Sequence, residues 1–459
     1  MSTEQTSSAL DASAVVNRME RLPITRYQNW LFLGISTAWL ADEINVNLLT
    51  FLMVPITLYF HLSLVQIGTL AAMTFLGQGI GNIIASYAAD KWGRKITFQG
   101  IIIVWAIASF FAAAAWNPTS LMVFRCIIGI GVGGEAPVAQ ALLSEIVPAA
   151  KRGQYISWME GMAAVSTVAA GILVMLLLPV FGIDAWRWVF VAVGLLGIVV
   201  FIVRQYLPES PRWLVDNGQE ERAERTLSQF EGAVQRAYGH PLPPPKTHVV
   251  TEEHDHAHPV ATLWSRTYIG RTLMVAGLWF FALLGFFGLN SWMTTLLHAH
   301  GFSDASSITF VMLISLGGIP GFLAAGWSIE KVGRKPTTVI VLILAAVMAY
   351  LYGHPSPGWL FFEGFMMQFF FFGMWSVLYA YTPELYPTRA RASGAGWASA
   401  FGRIGAIAGP LIVVFVLKTM HAGEGAVFSV GAASFLIAAL LVLVFGPETR
   451  GKVLETIAD

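Results

Sequence analysis

The chain has 459 residues, 56% of them hydrophobic and 12% charged, with 27 basic and 27 acidic side chains in balance. A soluble domain carries roughly 25% charged residues, so the composition excludes an ordinary water-soluble protein. Zero net charge speaks against the basic surface that a nucleic-acid partner needs.

Twelve apolar runs follow one another, at 28–50, 64–87, 96–115, 119–141, 154–179, 186–207, 269–297, 305–328, 337–353, 358–382, 394–418 and 425–446. Each is near the length that crosses a hydrocarbon core roughly 30 Å thick as a helix. The predicted fold class is an all-α membrane protein of twelve transmembrane helices. The first 27 residues are polar and the first apolar run is too long for an h-region, so no cleavable signal peptide is expected. The lone Cys126 sits in a predicted span, which leaves no intramolecular disulfide.

Basic residues collect in alternate loops. Arg18, Arg21 and Arg26 precede the first span, Lys91, Arg94 and Lys95 follow the second, and Lys151 and Arg152 follow the fourth. Lys331, Arg334 and Lys335 follow the eighth, Arg389 and Arg391 the tenth, and Arg450 and Lys452 the last. By the positive-inside rule both termini face the cytoplasm, as an even number of spans requires. A multi-pass protein of the cell inner membrane, expected to be monomeric, is the resulting expectation.

The chain also repeats itself. A-S-Y-A-A-D-K-W-G-R-K at 85–95 matches A-G-W-S-I-E-K-V-G-R-K at 325–335. L-S-E-I-V-P-A-A-K-R-G at 143–153 matches T-P-E-L-Y-P-T-R-A-R-A at 382–392, and P-E-S-P-R at 208–212 matches P-E-T-R at 447–450. Measured from position 90 to 330, 145 to 384 and 208 to 447, the offsets are 240, 239 and 239 residues. Two pseudo-symmetric six-helix bundles with a substrate cavity between them follow from this. The expected division is a cytoplasmic segment at 1–27, a bundle at 28–207, a cytoplasmic linker at 208–267, a bundle at 268–446 and a tail at 447–459. The linker opens with a helix-like stretch at 212–230 and holds His254, His256 and His258 in a setting without fixed geometry, so no metal and no cofactor are expected.

D-K-W-G-R-K at 90–95 and G-W-S-I-E-K-V-G-R-K at 326–335 resemble the signature loops of the major facilitator superfamily, and R-C-I-I-G-I-G-V-G-G-E at 125–135 resembles its fourth-helix motif. P-E-S-P-R-W-L at 208–214 and P-E-T-R-G-K-V-L-E at 447–455 resemble the ends of the two halves in sugar porters. R-L-P-I-T-R at 21–26 together with Asp42 resembles the bacterial branch akin to synaptic vesicle glycoproteins, with its niacin transporters and metabolite:proton symporters, near the organic-ion and aromatic-acid transporters. In that branch the first helix often reads Asp-x-x-Asp; here Asn45 holds the second position and Glu43 is additional. The seventh span, L-L-G-F-F-G-L-N-S-W at 283–292, lacks the paired glutamines of sugar porters, which speaks against a hexose.

The matched loops supply gating candidates: Asp90, Gly93, Arg94, Glu145 and Arg152 in one half, and Glu330, Gly333, Arg334, Glu384 and Arg389 in the other. Asp90 and Arg94 are four apart, as are Glu330 and Arg334, a spacing at which helical side chains bridge. Topology-setting positive charge explains Lys91 and Lys95 equally well. Glu135 is placed with the gates, near the cytoplasmic end of its span.

Ionisable residues inside a membrane are costly and therefore functional by default. Asp42 lies roughly 20 Å from the inner edge of the core, and Arg125 about 21 Å from it. The matched depths make them an expected pair: a proton carrier and its guanidinium, or a static ion pair. Related proton symporters use a first-helix acid and fourth-helix arginine in this way. Glu43 points about 100° away around the helix, and is either a second cavity acid or faces a neighbouring helix.

Arg403, between Gly402 and Gly405 near the midplane of the eleventh span, suits a substrate carboxylate through two parallel hydrogen bonds, or pairs with Glu160. Glu160 itself is assigned to the inner gate or the cavity floor. Asn45, Asn290, Trp292, Gln368 and Trp375 are candidate cavity-lining groups, with rings that stack on a flat substrate. No phosphate-binding loop and no nucleophile elbow are present, so an enzyme is not expected. The expected activity is proton-coupled symport of a small organic acid, a nicotinate-like or other aromatic carboxylate. A sugar, polyol or organic-cation transporter, or a non-transporting sensor, stands as the alternative. The expected partners are the small-molecule substrate, protons and the lipid bilayer.

Overall fold

A computed structural model describes residues 12–244, 259–299, 301–355, 358–386 and 390–450. A short helix, α1 (Ala12–Glu20), leads into the first bundle of α2 (Arg26–Phe60), α3 (Leu64–Trp92), α4 (Arg94–Ala113), α5 (Pro118–Ile146), α6 (Ala149–Phe181) and α7 (Ala185–Arg204). The linker contributes α8 (Pro211–Asp216), α9 (Glu220–Tyr238) and α10 (Pro259–Leu263). The second bundle follows as α11 (Ile269–Ala299), α12 (Asp304–Ser315), α13 (Gly318–Lys331), α14 (Arg334–Gly353), α15 (Leu360–Glu384), α16 (Arg391–Val414) and α17 (Glu424–Phe445).

Eleven stretches of described residues are long and apolar enough to cross a membrane. One of them, Lys151–Arg204, has 54 residues and is two spans, because Gly182 at φ 55° opens a tight 3-10 turn between α6 and α7. Twelve spans result, with α12 and α13 forming the eighth.

Local chemistry sets the ends. Thr25 caps α2 and Ser63 caps α3, each in a reciprocal box with the glutamine three residues on, Gln28 and Gln66. Asn117 caps α5 with Pro118 at the first helical position. Several elements differ from the sequence expectation. The first span continues past residue 50 to Phe60 with Pro55 inside it. The eighth breaks at Leu316–Gly317, and the linker helix breaks around Gly218, at φ 69°. The polar segment 1–27 holds α1, whose Val15 and Met19 pack with Leu227, Phe230 and Val234 of α9.

The internal repeat reappears in the packing. A Cβ on Gly77 or Gly81 of α3 would land on the carbonyl of Cys126 or Ile130 of α5. On Gly317 or Gly321 it would land on the carbonyl of Phe365 or Phe369 of α15. Lipid gives packed helices no hydrophobic drive, so close backbone approach through small residues supplies it. Both pairs of contacts recur at the same offset as the sequence repeat.

The two bundles meet through α2 with α11, α3 with α16, and α6 with α12 and α13. On the face away from the termini this seam is tight. Thr294 Oγ1 donates to the Thr50 carbonyl, and Gly68 and Gly171 sit against Val414 and Met312.

Candidate functional site

On the face that carries the termini, each half holds the same cluster. In the first, Arg94 Nη1 donates to Asp90 Oδ1 at 3.2 Å, its Nε lies 3.6 Å from Glu145 Oε1, and its backbone N–H donates to Glu209 Oε1 at 2.9 Å. In the second, Arg334 Nη2 donates to Glu330 Oε1 at 3.2 Å, its Nε to Glu384 Oε2 at 3.0 Å, and its backbone N–H to Glu448 Oε1 at 3.0 Å. Gly93 and Gly333, at φ 98° and 123°, pass beneath those glutamates, where a Cβ would collide with Glu209 or Glu448. Asp90 is 79% exposed and Glu330 69%, so these two pairs are weak and the buried partners matter more.

Arg152 belongs to neither cluster. It donates to Glu20 Oε1 of α1 at 2.9 Å and ties the N-terminal helix to α6. Arg389 and the three linker histidines lie outside the described residues.

Within the first bundle, the expected pairing of Asp42 with Arg125 is corrected. Asp42 is buried beside Glu135, and Glu135 Oε1 accepts from Arg204 Nη2 at 2.5 Å. The guanidinium, 3.3 Å over the Phe98 ring, is ion-paired with Glu135, while Asp42 is an electrostatic neighbour of both and neither of its oxygens has a hydrogen-bond partner among the described residues. Glu135 is 0% exposed in this core and not part of a gate loop. Arg125 instead donates to Thr74 Oγ1 at 3.1 Å and to Asn45 Oδ1 at 3.2 Å. Asn45 is one helical turn beyond Asp42, which places Arg125 about 4.5 Å further along α2 than the depth match implied.

A second set gathers at the seam between the bundles. Arg403 of α16 donates through Nη1 to Gln78 Oε1 of α3 and has Glu43, Glu160 and Tyr379 as electrostatic neighbours. Glu160 Oε1 accepts from Gln140 Nε2 at 2.8 Å and has Tyr379 as a neighbour. Trp375 stacks on Tyr379 with ring centroids 5.7 Å apart and 22° between planes. Glu43, whose direction the sequence left open, thus faces the seam and a cation of the other half. Glu160 stands in this set and not in a gate.

Asn290 Oδ1 accepts from Gln368 Nε2 at 2.9 Å, and Asn290 lines a cleft together with Arg125. Trp292 is fully buried next to Gly68, at the closed seam and outside the cleft that Asn290 and Arg125 line. Arg204, Gln78, Gln140 and Tyr379 are absent from the sequence-derived set. Two of them left a signal: Arg204 is an ionisable residue within the sixth apolar run, and Gln78 is an amide inside T-F-L-G-Q-G-I-G-N at 74–82.

With this geometry in place, comparison with known proteins is decisive. The profile of the Major Facilitator Superfamily matches residues 31–410 and 315–457. The chain belongs to that superfamily. Members are transporters and not enzymes, so this facilitator moves a small molecule across a membrane. It is 33% identical to a niacin transporter of Acinetobacter baylyi over 96% of this chain and 99% of that one. It is 32% identical to a putative niacin/nicotinamide transporter of Bacillus subtilis, over 92% and 97%. A synaptic vesicle 2-related protein of Xenopus laevis is 26% identical over 97% of this chain and 83% of its own length. The xylose transporter of E. coli in a partially occluded inward open conformation superposes with a TM-score of 0.72 at 19% identity, covering 94% of this chain and 100% of that one. That likeness establishes the shared facilitator fold.

Proposed function

We propose that this facilitator is a proton-linked symporter for a small aromatic carboxylate of the nicotinate type. It works as a monomer in a bacterial inner membrane, with both termini and the 208–267 linker in the cytoplasm. The observation that carries this reading is the place of Arg403, bonded to Gln78 across the seam, with Glu43 and Glu160 as electrostatic neighbours beside the Trp375–Tyr379 stack. A guanidinium there accepts a carboxylate through two parallel hydrogen bonds, and the ring of the substrate lies along the aromatic pair. The niacin-transporting relatives favour the same substrate class.

Coupling follows from competition. Without substrate, Glu43 and Glu160 when both ionised exceed the charge of Arg403 by one; protonation of these acids frees the guanidinium for the incoming carboxylate. Proton and substrate then bind together. The Asp42–Glu135–Arg204 group carries one excess negative charge when both acids are ionised, and an unneutralised charge is costly away from water. A bound proton restores neutrality there, which makes Asp42 the carrier within the first bundle. The tight seam at Thr50, Gly68 and Gly171 supports an inward-facing state, with the Arg94 and Arg334 clusters as the gates that rearrange.

Uptake by proteoliposomes under an imposed pH gradient, measured for a panel of carboxylates, cations and sugars, tests the reading. Accumulation of nicotinate or a similar acid supports it; accumulation of sugars or cations in its place refutes it.

A further inference from the structure

Among the described residues, the membrane part holds the buried Arg125 and Arg204 and the partly buried Arg403, and they differ in their company. Arg204 has Glu135, and Arg403 has Glu43 and Glu160 as electrostatic neighbours. Arg125, 0% exposed, has no ion pair among the described residues. Its Nε donates to Thr74 Oγ1, its Nη1 to the carbonyl and side-chain oxygens of Asn45 at 3.3 and 3.2 Å, and every one of these acceptors is neutral. Its Nη2 has no acceptor among the described residues although it is buried. Charged groups removed from water are paired, since isolation costs far more than any single hydrogen bond returns.

Beside this guanidinium is a narrow cleft with room for a water-sized group. Asn47, Thr74 and Phe75 line it from the first bundle, and Phe286, Phe287 and Asn290 from the second. We propose that Arg125 and this cleft hold one monovalent anion, a halide or the carboxylate of a second substrate molecule, at a site separate from Arg403. The anion completes the coordination of Nη2 and neutralises the buried charge. Because α11 supplies one wall, the site is complete only while the bundles are together at this level, so its occupancy favours the arrangement in which that seam is closed. The halide arm is independent of the nicotinate reading; the carboxylate arm rests on it.

The test uses the purified full-length protein in detergent, with sodium sulfate as background salt. Sodium chloride and sodium nicotinate are titrated separately, and the thermal unfolding midpoint is read, since a ligand that binds the folded state raises it saturably. A saturable rise with either anion, abolished in Arg125→Met, is the expected result. A rise with chloride alone assigns the site to an inorganic anion, and one with nicotinate alone to the carboxylate of the second substrate molecule. Arg403→Gln is expected to retain the chloride response, which separates this site from the proposed transport site even if nicotinate uptake fails. No rise in the wild type with either anion, or an undiminished rise in Arg125→Met, overturns the proposal. Should Arg125→Met fail to fold, Thr74→Val decides: the half-saturating concentration should increase several-fold, and an unchanged value overturns the proposal.

Discussion

Arg204 Nη2 on α7 donates to Glu135 Oε1 on α5 at 2.5 Å, with side-chain exposures of 1% and 0%. Removing the arginine leaves Glu135 and Asp42 without their cation. Arg204→Met should therefore destabilise the protein by roughly 3–5 kcal/mol, the usual effect of stranding a buried charge. The double variant Arg204→Met with Glu135→Gln should recover part of that loss. Unfolding in detergent measures both, and an Arg204→Met protein as stable as the wild type would contradict the ion-pair account.

Glu448 joins the tail to the second gate. Its carboxyl accepts from the backbone N–H groups of Arg334, Lys335, Thr449 and Arg450 at 2.8–3.1 Å. Burial alone would raise its pKa; these donors outweigh burial and hold it below the usual glutamate range. A lowered folded-state pKa contributes stability that is complete above the unfolded value of about 4.5 and is lost as pH falls through the folded one. Glu448→Gln should cost about 1 kcal/mol at neutral pH, the range of a partly solvated helix cap. The stability curves of variant and wild type should converge on acidification.

The N-terminal helix is clasped to the linker. Arg18 donates to Glu224 at 2.6 Å and Glu231 at 2.7 Å, and Arg21 reaches Glu231 at 2.6 Å. The Arg18 bond lowers the Glu224 pKa; for Glu231, burial pushes upward but the bonds from Arg18 and Arg21 prevail. Both acids thus favour docking above about pH 4.5, and that contribution fades as pH falls below it. Hydrogen exchange over 12–22 and 220–238 should accelerate together on acidification and in about 1 M salt, where screening reaches within roughly 3 Å.

Gly405 lets α16 approach α11 until a Cβ would meet the Phe280 carbonyl. Gly405→Ala should force these helices apart at a cost of roughly 1–3 kcal/mol and shift Arg403, two residues earlier. Substrate uptake should fall more steeply than the amount of protein in the membrane. Equal losses of both would point to a folding defect alone.

The twelve spans and the two-fold repeat were legible because hydropathy and loop charge act along the chain, one residue at a time. The partners of the buried charges were not. Counting residues from the edge of an apolar run gives a height, and α2 runs from Arg26 to Phe60, well beyond the run 28–50 from which the height of Asp42 was counted. Height also says nothing of direction around the helix. Asp42 turns to Glu135 and Arg204, while Asn45 takes Arg125. Arg204 was hidden by its place near the end of a span, where a cation reads as an interface anchor. Glu43 gains a role through Arg403, 360 residues away, an electrostatic neighbour that only the closing of one bundle on the other brings near.

Proton flux recorded alongside substrate uptake decides whether entry of the acid is coupled. Nicotinate is added to proteoliposomes that enclose a pH-sensitive dye, at zero membrane potential, with protein-free liposomes correcting for diffusion of the neutral acid. Coupled entry should acidify the interior in step with nicotinate, and combining Glu43→Gln with Asp42→Asn should abolish it. Nicotinate entry without protein-dependent acidification, or undiminished coupled flux in the double variant, would contradict coupling through these acids.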